Sequence, residues 1–162
     1  MKAIKICMLL LFISLNNVFG QLPDIRLQDL NWKSVKVSDL KGENLTIVDF
    51  WASWCKPCMN AIPKLSSIAS DYKDQGVAMI GINTDGPRNQ AKVKPLVRSL
   101  DIQYPILLDP DQELSGEFSV SVLPTLLIFN KDGKLVYRHE GFSPGDEAKI
   151  RSEVDKLTAE MQ

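Results

Sequence analysis

Cys55 and Cys58 are the residues of this chain whose type and spacing could do chemistry. They follow an apolar, β-branched and aromatic run over 45–52, which is typical of a buried central strand. After Cys58 the apolar residues recur at spacings of three and four, which predicts an amphipathic helix: Met59, Ile62, Leu65, Ala69 and Tyr72. The two cysteines therefore fall in the first turn of a helix that follows a strand.

The start of a helix favours a thiolate, because the unpaired N–H groups and the positive end of the helix dipole stabilise negative charge. A free cysteine has a pKa of about 8.5, which falls to about 3.5–7.5 in such a motif. We predict that Cys55 attacks the disulfide of a partner and that Cys58 resolves the mixed disulfide. Lys56 adds a positive charge beside the nucleophile, and Pro57 stiffens the loop where its missing N–H costs little.

A structural disulfide or half of a zinc site would be the other uses of this pair. Zinc needs four ligands, and after residue 20 the chain offers only these two cysteines and His139. We therefore expect no metal and no cofactor. His139 lies on a predicted strand between two charged residues, which favours a solvated or edge role over catalysis.

Asp49 is an acid inside the predicted central strand, where burial of a charge is costly. Strand alternation places it on one face with Ile47 and Trp51. Beneath the start of the helix, its carboxylate could accept the proton of Cys58 during resolution, directly or through a water. Burial would raise its pKa and suit it to this role near neutrality. The alternative is an acid satisfied by backbone donors or placed at a sheet edge.

The chain has 162 residues and a formal net charge of −1, with its lysines and arginines spread out, so nucleic-acid binding is not expected. Residues 1–20 have a basic start, a short apolar core and a polar end, which predicts a secretory signal peptide. Residues 21–162 then form one domain. Export to the periplasm or cell envelope follows, with anchoring by an uncleaved signal as the alternative. After residue 20 the only cysteines are those of the motif, which in an oxidising compartment favours chemistry.

The rest of the chain predicts alternating strands and helices. A hairpin around Asn31–Trp32 comes first, and 77–83 is a second buried strand. Asp85–Pro87 is expected to cap the next helix, in which Pro95 produces either a kink or a late start. Pro124 belongs at the start of a strand, since proline cannot donate to a sheet ladder. A tight turn at 130–133 joins two antiparallel strands, and 143–146 resembles a capping box with proline in the first turn of the last helix.

The stretch from Val48 to Cys58, VDFWASWCKPC, resembles the active-site segment of thioredoxins. The Lys-Pro pair, the N-terminal extension, and the segments 123–125 and 138–142 resemble exported TlpA/ResA-like thiol-disulfide oxidoreductases over about residues 22–160. This resemblance implies an α/β thioredoxin fold: a central mixed sheet with helices on both faces and an N-terminal β-hairpin. The sequence also departs from the pattern of the TlpA/ResA-like family. Ala61 stands where these proteins commonly carry a glutamate, while Asp49 follows the thioredoxin pattern.

The resemblance further implies that Pro124 is cis and lies against the dithiol, where the backbone of Leu123 faces an extended substrate. Trp54, beside the nucleophile, is expected to be a partial platform for the partner. The predicted substrate-binding residues are Trp54, Lys56, Pro57, Leu123 and Pro124.

The predicted function is thiol-disulfide exchange with disulfide-containing exported proteins, as a reductase and a monomer. A reductase in an oxidising compartment needs a membrane-linked electron donor, as in the resembling family. Three alternatives remain: a peroxiredoxin-like antioxidant, a copper carrier and a non-enzymatic binding module. The first would need a proline and a threonine or serine upstream of its cysteine, roughly where Val48 and Ala52 stand. The second would need three residues between the cysteines and a supporting histidine, and intact Cys55 and Cys58 argue against the last.

Overall fold

A seven-stranded mixed sheet forms the centre of the computed structural model, which describes residues 20–160. The strands are β1 (Arg26–Asp29), β2 (Ser34–Lys36), β3 (Leu45–Trp51), β4 (Val77–Asn83), β5 (Ile106–Leu108), β6 (Thr125–Asn130) and β7 (Leu135–Glu140). The helices are α1 (Lys56–Asp71), α2 (Gln90–Ser99), α3 (Glu113–Glu117) and α4 (Asp146–Ala159). Short 3-10 turns occupy Val37–Leu40 and Lys73–Gln75. The predicted signal peptide lies outside the described residues, apart from its last position.

The sheet order is β2-β1-β5-β4-β3-β6-β7, so β3 is central. It pairs in parallel with β4 and antiparallel with β6. Asp49 stands opposite Gly81 of β4 and Leu126 of β6, which makes it a mid-sheet residue rather than an edge residue. The predicted hairpin is confirmed, since β1 and β2 pair antiparallel on either side of the turn.

Two cores cover the two faces of the sheet, because successive side chains of β3 point in opposite directions. Leu45, Ile47 and Trp51 pack under α1, α2 and α4. Val48 and Phe50 pack on the other face, with Leu114 of α3 and the N-terminal segment. The predicted thioredoxin fold, with helices on both faces of a mixed sheet, is therefore confirmed.

Two predicted helix starts were wrong in detail. Helix α2 begins at Gln90, three residues after the expected cap, and continues through Pro95. Helix α4 begins at Asp146 with Gly145 as its N-cap, so Pro144 precedes the helix. Gly145 has φ 94°, a conformation that glycine adopts without a steric cost. The side chain of Asp146 does reach back to the backbone N–H of Ser143 at 2.7 Å, which is one half of a capping box.

No helix within residues 20–160 is both long and apolar enough to cross a membrane.

Candidate active site

Cys55 and Cys58 form a disulfide at the start of α1, with an S–S distance of 2.05 Å. Cys55 is the N-cap of the helix, and its Sγ accepts a hydrogen bond from the backbone N–H of Cys58 at 3.2 Å. Pro57 lies in the first turn, where a proline removes no helical hydrogen bond. When the disulfide is reduced, the same N–H and the helix dipole stabilise negative charge on Cys55.

The two sulfurs differ in access. Cys58 is fully buried, whereas Cys55 retains 4% of its surface and lines an open groove of about 480 Å³. A partner can therefore approach Cys55 from the groove while Cys58 stays covered. An outer nucleophile and an inner resolving thiol stay predictions, and this asymmetry is the geometry that they require.

The groove brings together four of the five predicted substrate-binding residues: Trp54, Lys56, Pro57 and Leu123. Trp54 is 68% exposed, which leaves the face of the indole available to a partner. Pro124 is buried behind the groove, and the Leu123–Pro124 peptide bond is cis, as the resemblance implies. The rest of the groove wall comes from the segment after β4 and the segment around α3: Thr84, Gln112, Ser115, Val120 and Ser121.

Asp85 supports the loop that carries the cysteines, a role that the sequence analysis missed. Its buried carboxylate accepts hydrogen bonds from the backbone N–H and hydroxyl of Ser53, at 2.7 and 2.8 Å. The side-chain amide of Asn83 donates a third, at 2.7 Å. Because β3 and β4 are parallel neighbours, the loops after them meet at the same edge of the sheet. The polar run Asn83-Thr84-Asp85 directly after a buried strand was the available signal.

Asp49 is fully buried on the α1 face of the sheet. Neither of its carboxylate oxygens has a hydrogen-bond partner within residues 20–160. Desolvation alone raises the pKa of this carboxyl to about 7. Both alternatives from the sequence, a backbone-satisfied acid and an edge position, are therefore wrong, and the group can hold or release a proton near neutral pH.

Over the described part of the chain, no group of three or more His, Cys, Asp or Glu side chains is arranged to hold a metal ion. His139 lies on β7, with its Nε2 3.3 Å from the carboxylate of Asp146 and not in the groove.

The strand order, and a disulfide at the start of the helix that follows β3, place the chain among thioredoxin-like proteins. The model of the AhpC/TSA family matches residues 18–138, and the chain belongs to that family.

Relatives of this chain are named as thiol-disulfide oxidoreductases. The chain is 34% identical over 114 residues to the thiol-disulfide oxidoreductase ResA of Bacillus cereus, across 70% of this chain. The match covers 64% of that relative, so the chain spans less than two thirds of its length. The predicted likeness to ResA-like proteins is thereby confirmed.

Two solved structures match nearly the whole described chain. One is a putative thiol:disulfide interchange protein DsbE from Chlorobium tepidum, with a TM-score of 0.78 and 25% identity over 86% of this chain and 96% of that one. The other is an uncharacterized thioredoxin-like protein from Porphyromonas gingivalis, with a TM-score of 0.75 and 32% identity over 89% and 95%.

Proposed function

We propose that this chain is a thiol-disulfide oxidoreductase that exchanges the Cys55–Cys58 disulfide with protein substrates. The observation that carries the proposal is the pairing of a groove-lining Cys55 at a helix N-terminus with a sealed Cys58 behind it. The names of the ResA and DsbE relatives support the same reaction.

The reaction runs in two exchange steps that start from the dithiol. The Cys55 thiolate attacks one sulfur of the substrate disulfide, which breaks that S–S bond and releases the first substrate thiolate, which takes a proton from water. Cys58 then transfers its proton to the Asp49 carboxylate and attacks the Sγ of Cys55. The second substrate thiolate leaves and is protonated by solvent, and the chain is left with the disulfide and a neutral Asp49. Two electrons have passed from the chain to the substrate.

Asp49 suits the second step for two reasons. It lies on the face of β3 that packs against α1, the helix that begins with the two cysteines. Its pKa of about 7 lies close to the pH at which a general base is most effective. Trp54, Lys56, Pro57 and Leu123 would hold an extended substrate segment in the groove, with Pro124 supporting its wall.

The chain would act as a monomeric reductase on exported, disulfide-containing proteins in the periplasm or cell envelope. The signal-like sequence of residues 1–20 supports export. A reductase there must be reduced again after each turnover, and a membrane-linked dithiol donor would supply the two electrons.

The direct test is a trapping experiment with Cys58→Ser. This variant cannot resolve the mixed disulfide, so substrate proteins should accumulate on Cys55 and be released by a reducing agent. Cys55→Ser is the matched control and should trap nothing. In parallel, the wild-type chain should catalyse reduction of a model protein disulfide by dithiothreitol.

Three outcomes would count against the proposal. Equal trapping by both variants would show that Cys55 is not the nucleophile. A pair that cannot be cycled between dithiol and disulfide would favour a binding module. Rapid peroxide consumption with no disulfide reduction would favour the antioxidant alternative.

A further inference from the structure

Five buried side-chain polar atoms without a hydrogen-bond partner belong to α1 or to the face of the sheet that α1 covers. They are both carboxylate oxygens of Asp49, Nε1 of Trp51, Oγ of Ser66 and the hydroxyl of Tyr104. The only other such atom within residues 20–160 is Nε2 of His139, which faces the carboxylate of Asp146. Buried polar groups are nearly always paired with protein or with ordered water, so a concentration of this kind needs an explanation.

Gly81 brings three of these groups together. It is the β4 residue opposite Asp49, so the two residues share a face of the sheet. A Cβ at this position would lie 3.1 Å from the ring of Tyr104 and 3.3 Å from Nε1 of Trp51. Tyr104 is close enough for a charge on Asp49 to raise the pKa of its phenol, although burial is the larger cause. The carboxyl, the indole N–H and the phenol thus surround one glycine.

Ser66 and Tyr104 also border the surface of the protein, with their hydroxyl oxygens buried just behind it. Both line a cavity of about 480 Å³ on the flank of α1, between its C-terminal half, the start of β4 and the segment before β5. Ser66 and Tyr104 are close enough for the Ser66 hydroxyl to act on the Tyr104 phenol, by hydrogen bonding, in the direction of a lower pKa, although burial outweighs this and the present geometry is not that of a direct hydrogen bond. The cavity shares no lining residue with the substrate groove.

A separate opening matters because Asp49 and Cys58 have no exposed surface even when the groove is empty. In the mixed disulfide the substrate occupies the groove in front of Cys55, while Cys58 and Asp49 are fully buried. The proton that Asp49 takes from Cys58 must still return to solvent before the next cycle. A water that bridges two or more polar groups can carry a proton where side chains do not touch.

We propose that Tyr104 and Ser66 are positioning residues that hold a water-mediated proton path from Asp49 to the cavity on the flank of α1, away from the substrate groove. The inference rests on the proposed function and adds the route by which the proton taken from Cys58 leaves Asp49. The proton moves from Asp49 through bridging water to bulk water, and no covalent bond to carbon or sulfur changes.

The elements packed around Asp49 offer few other titratable groups. β4 and β6 present Gly81 and Leu126 at its register, and α1 contributes Cys58. The hydrophobic residues that α2 and α4 contribute to this core are Val93, Val97, Ile150, Val154 and Leu157. Two further tyrosines border it, and their hydroxyls have other partners: Tyr72 donates to Asp155, and Tyr137 lies 3.4 Å from the ring of His139. Tyr104 is therefore the group whose removal should change the titration of Asp49.

The first test separates the two exchange steps with the aryl disulfide 5,5′-dithiobis(2-nitrobenzoate). Attack by Cys55 releases one coloured thiolate, and resolution by Cys58 releases the second. Tyr104→Phe keeps the ring but removes the hydroxyl and the water it would hold, so fewer chains should carry an ionised Asp49 at neutral pH. The first release should then be unchanged and the second about tenfold slower. Ser66→Ala should slow the same step. Tyr72→Phe and Ser67→Ala are matched controls, because their hydroxyls bond to Asp155 and Asp71 outside this region.

The second test is a double-variant cycle with Asp49→Asn. If Tyr104 acts through Asp49, Tyr104→Phe should slow resolution in the wild-type background and have no further effect in Asp49→Asn. A merely structural role would give the same loss in both backgrounds. Equal losses, or no loss in either, would overturn the inference.

A third measurement does not depend on activity. Infrared titration of the Asp49 carboxyl in the disulfide form should show its pKa raised by about one pH unit in Tyr104→Phe, because the charged form loses hydrogen-bonded water. An unchanged titration would overturn the inference, even if the chain reduced no substrate. Failure of the proposed function would instead appear as wild-type chain that releases neither thiolate.

Discussion

Replacement of Asp49 by asparagine should change how the stability of the chain depends on pH. The pKa of this carboxyl is 3.8 as an ordinary side chain and about 7 in the folded chain, and desolvation is the cause. The folded chain therefore binds this proton more tightly than the unfolded chain does. Its stability is highest below the unfolded value and is lost as the pH rises through the folded one.

The magnitude follows from the two pKa values. Each pKa unit corresponds to about 1.4 kcal/mol, so ionisation of Asp49 costs the folded chain about 4 kcal/mol at pH 8 and about 2 kcal/mol at pH 5. Asp49→Asn removes this cost and keeps the size of the side chain. Relative to the variant, the wild type should lose about 2 to 3 kcal/mol of unfolding free energy between pH 5 and pH 8.

Urea denaturation of the disulfide form at several pH values measures this difference. Comparison of the two proteins at each pH cancels the titration of all other groups that they share. Asp74→Asn is a suitable control, because it removes an exposed carboxylate of the same type. A wild-type minus Asp49→Asn difference that stays constant from pH 5 to pH 8 would refute the reasoning, since Asp49 would then titrate alike in both states.

Three further predictions concern the groove, the loop and the last helix. Trp54→Ala should lower kcat/KM for a peptide disulfide about three- to tenfold through lost aromatic contact, with the unfolding free energy unchanged within about 0.5 kcal/mol. Asp85→Ala should lower the unfolding free energy by about 2–4 kcal/mol in urea denaturation, because it leaves the N–H of Ser53 unpaired. Asp146 has a pKa lowered to about 2, first by Lys149 and then by the N–H of Ser143, so its stabilisation is present above pH 4 and lost toward pH 2. In Asp146→Asn, the stability measured by circular dichroism should fall less steeply between pH 4 and pH 2 than in the wild type. An equally steep fall would contradict the lowered pKa of Asp146.

The fold could be predicted because its main signals are local. The apolar run over 45–52, the spacing of apolar residues after Cys58 and the turn at 130–133 each specify one element within a few residues. The burial of Asp49 followed from the same reasoning, since an acid flanked by core residues of a central strand has little access to water.

The contacts that the sequence did not predict depend on register between distant segments. Asp85 lies 32 residues from Ser53, and their hydrogen bonds exist only because β3 and β4 are adjacent, parallel and in one register. Tyr104 reaches the surroundings of Asp49 only across Gly81, in a third segment of the chain. The start of α2 was misjudged because Asp85, a residue type that often caps helices, is used by the cysteine loop instead.

The hydrogen bonds that Asp85 accepts hold the cysteine loop at Ser53, two residues before Cys55, and not between the cysteines. Lys56 and Pro57, the two residues between the cysteines, are exposed and make none of these bonds. Their charge and stiffness can therefore vary while the loop keeps its anchorage. Because about 1.4 kcal/mol of thiolate stabilisation corresponds to about 30 mV, substitutions at these two positions can retune the redox potential over a wide span without remodelling the protein.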